Sequence, residues 1–202
     1  MKIKICGIKN ENEAKIINEC MPDIAGFVFA SGKRQIDINK AKILKKIINP
    51  EIETAGIFVE QNEDEILEIY NEKVIDIIQL HGDYDERTIK NLKEKTNAKI
   101  IKVIRVKEGF YKIETLADFI LFDAYSKDKY GGLNKTFDWN IKIISNVPYF
   151  VAGGINENNI VEMVKKLTPY GVDISSGVEV DGFKTKEKVF NIIKIIKEEL
   201  NI

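Results

Sequence analysis

Two side chains able to trade protons sit where short apolar runs end. Cys6 closes Lys2–Cys6, and Asp123 follows Phe119-Ile120-Leu121-Phe122. A thiol with an ordinary pKa of about 8.5 serves as a base where its surroundings favour the thiolate. A carboxyl walled by apolar groups has its charged form disfavoured and can act as an acid. A base and an acid on opposing sides of a small substrate suit an isomerisation. Each residue also has a plainer reading: Cys6 as a small core hydrophobe, Asp123 as a cap or a partner of Lys127 or Lys129. Cys20, on an apolar helical face, keeps the core reading.

Two glycine-bearing segments point to an anion. Val151-Ala152-Gly153-Gly154-Ile155-Asn156 places glycine where backbone must approach a ligand closely, ahead of a helix that Asn156 is placed to cap. Ile174-Ser175-Ser176-Gly177-Val178-Glu179 repeats the arrangement. Gly153, Gly154, Ser176 and Gly177 together offer backbone N–H groups to a phosphate, although either segment alone also reads as turn punctuation. Arg34, after Lys33, offers the bidentate geometry that clamps a carboxylate. The stretch from Gly26 to Gly32-Lys33 approximates a P-loop, but it is a residue too long and Arg34 replaces the Ser or Thr. His81 reads either as a site group or as a rim histidine bonded to backbone.

These residues need elements to hold them, and the chain supplies a regular set. Strand-like runs lie at Lys2–Cys6, Ile24–Phe29, Thr54–Val59, Val74–His81, Ala98–Val106, Phe119–Tyr125, Pro148–Ala152 and Val172–Ser175. Amphipathic helical stretches follow them at Asn10–Cys20, Asn39–Ile48, Asn62–Lys73, Asp85–Thr96, Asp138–Ser145, Asn156–Leu167 and Thr185–Leu200, while Lys107–Asp118 is poorly patterned. Nearly continuous Ile, Val and Phe in the runs fit parallel strands buried on both faces. Eight such alternations predict an α/β fold, a parallel eight-stranded (β/α)8 TIM barrel, over an open doubly wound sheet with a Gly-rich first turn. Such a barrel takes roughly 200 residues at least, so one domain over 1–202 is expected. Its active site lies at the C-terminal ends of the strands, where Cys6, Arg34, His81, Asp123 and both glycine segments fall.

Composition removes several function classes. Of 202 residues, 44% are hydrophobic and 31% charged, a globular balance. With 31 Lys+Arg against 32 Asp+Glu, the net charge of −1 gives no field to draw nucleic acid or an anionic membrane. One His and two Cys, without C-x-x-C or a His pair, argue against zinc, and no cofactor is expected. No signal pattern and no apolar run of roughly 20 residues is present, so reduced thiols in a cytoplasm are expected. The Asn134-Lys135-Thr136 sequon has no meaning there. Phe110, Tyr111 and Leu116 suit an interface or an irregular turn, leaving monomer and homodimer open.

Taken as blocks, the motifs resemble the phosphoribosylanthranilate isomerase family. The blocks are Lys4-Ile5-Cys6-Gly7-Ile8, Gly26-Phe27-Val28-Phe29, Lys33-Arg34, Gln79-Leu80-His81-Gly82, Phe137-Asp138-Trp139, Ala152-Gly153-Gly154-Ile155-Asn156 and Val172-Asp173-Ile174-Ser175-Ser176-Gly177-Val178-Glu179. The resemblance implies an Amadori rearrangement of N-(5-phosphoribosyl)anthranilate, without metal or cofactor, in tryptophan biosynthesis. It implies Cys6 as base, Asp123 as acid, Arg34 against the anthranilate carboxylate, and Gly153, Gly154, Ser176 and Gly177 at the phosphate. His81 and Asp173 match motif residues near the substrate. Two loops depart from the family pattern: Gly131-Gly132-Leu133-Asn134 lacks the usual small pair, and Ala30–Arg34 is shorter than usual. Other phosphosugar barrel enzymes of amino-acid biosynthesis, or a non-catalytic phosphate binder, are the alternatives.

Overall fold

Alternating parity within each apolar run decides which side chains face the helices and which face inward. In the computed structural model, which describes residues 1–107, 109–124 and 136–199, β1 (Lys2–Cys6) shows this directly. Ile3 and Ile5 join the core under the helices, while Lys4 and Cys6 lie on the opposite parity. The elements then run α1 (Glu11–Cys20), β2 (Ile24–Val28), α2 (Ile38–Ile47), β3 (Glu53–Phe58), α3 (Glu63–Asn71), β4 (Ile77–Leu80), α4 (Glu86–Lys95) and β5 (Lys99–Val106). They continue with β6 (Phe110–Ile113), β7 (Phe119–Ala124), β8 (Lys142–Ser145), β9 (Tyr149–Val151), α5 (Ile160–Leu167) and β10 (Gly171–Ile174). A 3-10 turn (Ser176–Val178), a hairpin of β11 (Glu179–Val180) and β12 (Phe183–Lys184), and α6 (Lys186–Glu199) finish the order.

Eight of the strands close into a parallel barrel in the order β1-β10-β9-β7-β5-β4-β3-β2. The expected fold class is therefore the observed one. Four helix starts are set by side-chain caps: Asn10, Asp37, Asn62 and Asp85 each accept the amide three residues on. Between strands and helices lies one large apolar layer that includes Phe27, Phe58, Leu44, Ile66 and Ile192. A smaller cluster of Ile24, Ala55, Ile77, Ile101, Val103, Leu121, Phe150 and Ala152 fills the barrel itself. No described helix is long and apolar enough to cross a membrane.

Two expectations change. The segment 138–145 is not helical: Asp138 makes an Asx turn with the Asn140 amide, and Lys142–Ser145 is strand β8. It pairs in parallel with β6, from the stretch that lacked a pattern. The reason is periodicity: Tyr111, Ile113 and Ile143 pack on Phe122 and Ile120, while Phe110 and Ile144 point to solvent, a period of two. Pro148 follows too soon for a helix to fit before β9. Helix α5 begins at Ile160 rather than at Asn156, whose Nδ2 donates to the Gly154 carbonyl and whose Oδ1 accepts the Asn158 amide in the turn ahead of the helix. The loop of residues 131–134, the sequon's Asn134, and Lys127 and Lys129 lie outside the described residues.

The helix-facing layer should be sensitive to truncation. Phe58 is fully buried and stacks on Phe29 with centroids 5.4 Å apart. Phe58→Ala is expected to lower unfolding free energy by about 3–5 kcal/mol in urea titrations, and a loss well under 1 kcal/mol would mean the layer is not packed as described.

Candidate active site

Cys6 sits at the barrel mouth in a space that its neighbours leave for it. Its register partner on β2 is Gly26, where a Cβ would fall 2.9 Å from the Cys6 Sγ. Any side chain there would push the thiol out of place. Gly7, next in sequence, has φ +86°, and a Cβ on it would fall 2.4 Å from Cδ of Arg34. The Arg34 stem thus crosses over Gly7, bringing its guanidinium beside the thiol.

Arg34 is not idle in this structure. Its Nε and Nη2 donate to the two carboxylate oxygens of Glu179 at 2.7 and 2.6 Å, a bidentate pair. Glu179 also accepts from Lys184 Nζ at 2.6 Å, across the β11–β12 hairpin in which the two residues are paired. Lys184 further donates to the Ser175 carbonyl, and the Ser175 hydroxyl donates to the Cys6 carbonyl. Burial pushes the Glu179 carboxyl up, but Arg34 and Lys184 outweigh it and hold it at about 2. Lys184, almost wholly buried, is held below the usual lysine range by desolvation.

Beneath the thiol lies Lys4, fully buried, with Nζ 2.9 Å from Oδ2 of its register partner Asp173. Burial, with Asp173 adding to it, holds the Cys6 thiol above its ordinary value, while Lys4 and Lys184 pull against it. Desolvation would lower Lys4, but Asp173 and Cys6 raise it above its ordinary value.

Asp123 ends the inward face of β7, three strands from Cys6 around the barrel. Its Oδ1 accepts the Ala124 amide at 2.8 Å, and its Oδ2 lies 3.3 Å from Nε2 of His81 at the end of β4. Gly153 (φ +86°) packs against this corner, since a Cβ there would lie 2.8 Å from the Ala124 nitrogen and 3.0 Å from the Asp123 Oδ1. The two glycine segments also meet each other: a Cβ on Gly177 would fall 1.9 Å from the Ile155 carbonyl oxygen. Asn156 and Asn159 both donate to the Gly154 carbonyl, fixing that loop. Among the described residues, the amides of Gly154, Ser176 and Gly177 donate to no protein acceptor. Unengaged amides of this kind are what an anion would need at this end of a barrel.

All nine candidate residues therefore come to one rim or just below it. Sequence reasoning did not find the Glu179–Lys184 partnership, or that Lys4 is an interior charge. The signal for Lys4 was available, because it shares Cys6's parity in a run whose other parity is Ile3 and Ile5.

A family model described as N-(5'phosphoribosyl)anthranilate (PRA) isomerase matches residues 3–195. An N-(5'-phosphoribosyl)anthranilate isomerase of Endomicrobium trichonymphae is 46% identical over 196 residues, covering 97% of this chain and 98% of its own. The crystal structure of phosphoribosyl anthranilate isomerase from Thermus thermophilus superposes with a TM-score of 0.86 at 25% identity, over 98% of this chain and 100% of that one. A structure of monomers generated from the dimeric Thermotoga maritima enzyme matches with a TM-score of 0.79 at 26% identity, over 98% of each chain.

The depressed Glu179 carboxyl gives a signed prediction. A group ionised more readily when folded contributes stability above its unfolded pKa and loses it as pH falls. The excess stability of wild type over Glu179→Gln is expected to be present at pH 6 and to disappear between roughly pH 4.5 and the folded value of about 2. Urea melts across that range read it, and a difference independent of pH would contradict the assignment.

Proposed function

This chain belongs to the N-(5'-phosphoribosyl)anthranilate isomerase family and is an isomerase of tryptophan biosynthesis, and from that premise we propose how its own residues do the work. The supporting observation is the placement of a thiol and a carboxyl on separated strands of one barrel mouth, with an anion cradle beside them. Asp123 protonates the ribose ring oxygen, the C1′–O bond breaks, and the ring opens to a protonated Schiff base with the anthranilate nitrogen. Cys6, as thiolate, takes the C2′ proton, and the electron pair moves to give an enolamine. Tautomerisation of the enolamine yields the 1-deoxyribulose 5-phosphate ketone. C1′ is reduced and C2′ oxidised within the one molecule, so the step balances without an external oxidant, reductant or cofactor.

The other residues orient the substrate. His81, against Asp123 Oδ2, aims the acid. The loops of Gly153, Gly154, Ser176 and Gly177 hold the phosphate through amides, and Asp173 lines the chamber below. Arg34 meets the anthranilate carboxylate: a guanidinium has five N–H donors, and its pair with Glu179 uses two, leaving three for the ligand. Glu179 thus pre-positions the fork rather than consuming it. The proposal extends to a cytoplasmic enzyme, supported by two free buried cysteines. It also extends to a homodimer, supported by likeness to a dimeric relative and by exposed Phe110, Leu116 and Ile144.

With phosphoribosylanthranilate generated in situ, loss of anthranilate fluorescence follows turnover. Cys6→Ala and Asp123→Asn are each expected to lower kcat by at least about 10², the usual scale of positioned proton transfer. Arg34→Ala is expected to raise KM more than it lowers kcat. Wild-type rates in Cys6→Ala would sink the mechanism even with the substrate unchanged.

A further inference from the structure

Lys4 is a full charge inside the barrel that the acid and the base do not account for. It has no exposed surface, and its parity on β1 puts it on the same inward face as Cys6, two residues earlier. Its register partner on β2 is Ile24, which belongs to the apolar filling of the barrel. Burying an ammonium there carries a heavy desolvation cost, which one ion pair seldom more than offsets. The strands of this seam are already held by backbone register from Lys2↔Gly171 to Ile5↔Ile174. Fold stability is thus a poor reason for a lysine at this position.

Its placement against the thiol is a better one. The charged groups around Cys6 are Lys4 on β1, Asp173 on β10 and Lys184 on β12, with Arg34 over Gly7, Glu179 between those two cations, and Glu13 of α1 accepting the Lys184 amide. His81 and Asp123 lie across the mouth. Glu179 engages Arg34 and Lys184 at once, so neither cation of the rim is unshared. Lys4 gives one donor to Asp173 Oδ2 and keeps two more. The other Asp173 oxygen, Oδ1, is buried and accepts no hydrogen bond among the described residues. Without Lys4, desolvation and the Asp173 carboxylate, which both oppose ionisation, would be countered chiefly by Lys184, a cation that Glu179 already shares.

We infer that Lys4, anchored by Asp173, is a positioning residue that sustains the Cys6 thiolate from inside the barrel. This rests on the reading of Cys6 as the base, and Lys4 touches no reacting atom. Removing the cation must make the thiolate harder to form, and removing the neighbouring anion must make it easier. A purely structural pair would produce no such opposed shifts.

The test is a pH titration of thiolate absorbance near 240 nm, differenced against Cys6→Ser so that Cys20 and the tyrosines cancel. Lys4→Met is expected to raise the midpoint by at least about one pH unit, the usual effect of a charge at this range. Asp173→Asn is expected to lower it, and Lys4→Arg to hold it near wild type. The acid limb of the kcat/KM profile should move with the midpoint in each variant. Unmoved midpoints in folded Lys4→Met and Asp173→Asn overturn the inference. Should Lys4→Met fail to fold, Asp173→Asn decides alone: a lowered midpoint supports the inference, and an unmoved or raised one overturns it. Full turnover by Cys6→Ser would instead remove Cys6 as base while the titration still reads the effect of Lys4 on the thiol.

Discussion

A closed parallel barrel must bring its last strand beside its first, and in this protein that seam carries most of the site. β1 and β10 are paired there, with Lys4 bonded to Asp173 below the mouth and Ser175 bonded to the Cys6 carbonyl above it. The hairpin after the last strand adds Glu179 and Lys184, and Arg34 reaches across Gly7 to join them. Lys9 ties the same hairpin down through the Gly182 carbonyl at 2.7 Å. Nearly every buried charge on this seam has a partner, as low dielectric demands. Closing the barrel and setting the electrostatics of the thiol are therefore done by the same contacts.

The Asp123 side of the mouth is built more sparingly. Asp123 is held by its own strand end and by His81, and the glycine at 153 admits the next loop against it. Outside this part of the barrel the usual helices after β5 and β7 are absent among the described residues, and the β6–β8 ribbon lies over Phe122 and Ile120 instead. The ribbon supplies apolar cover from Tyr111, Ile113 and Ile143. Thiol and carboxyl thus stand in different surroundings: Cys6 amid several charges, and Asp123 against the His81 imidazole with Arg105 as its register partner on β5.

How much of this the sequence disclosed depends on the range of the interaction. Strands were legible because burial on both faces demands continuous Ile, Val and Phe, and caps such as Asn62 and Asp85 mark helix starts locally. The ribbon was misread because Ile141, Ile143 and Ile144 fit a short helix and a strand equally well, and only packing on Phe122 decides between them. Cys6, Asp123 and the glycine segments were legible because barrel topology sends strand ends to one rim. What Gly26 does for the thiol was not, since that contact depends on the register between β1 and β2. Likewise the partner of Arg34 lies 145 residues away, beyond any spacing rule.

The account stands or falls on Cys6 lying at the reacting carbon. The most direct measurement is to modify the enzyme with iodoacetamide, mapping Cys6 and Cys20 separately by peptide mass, with and without a reduced product analogue. The expected result is that activity falls one for one with modification of Cys6, that the analogue slows both together, and that modification of Cys20 leaves activity in place. Full activity in enzyme completely modified at Cys6 would contradict it.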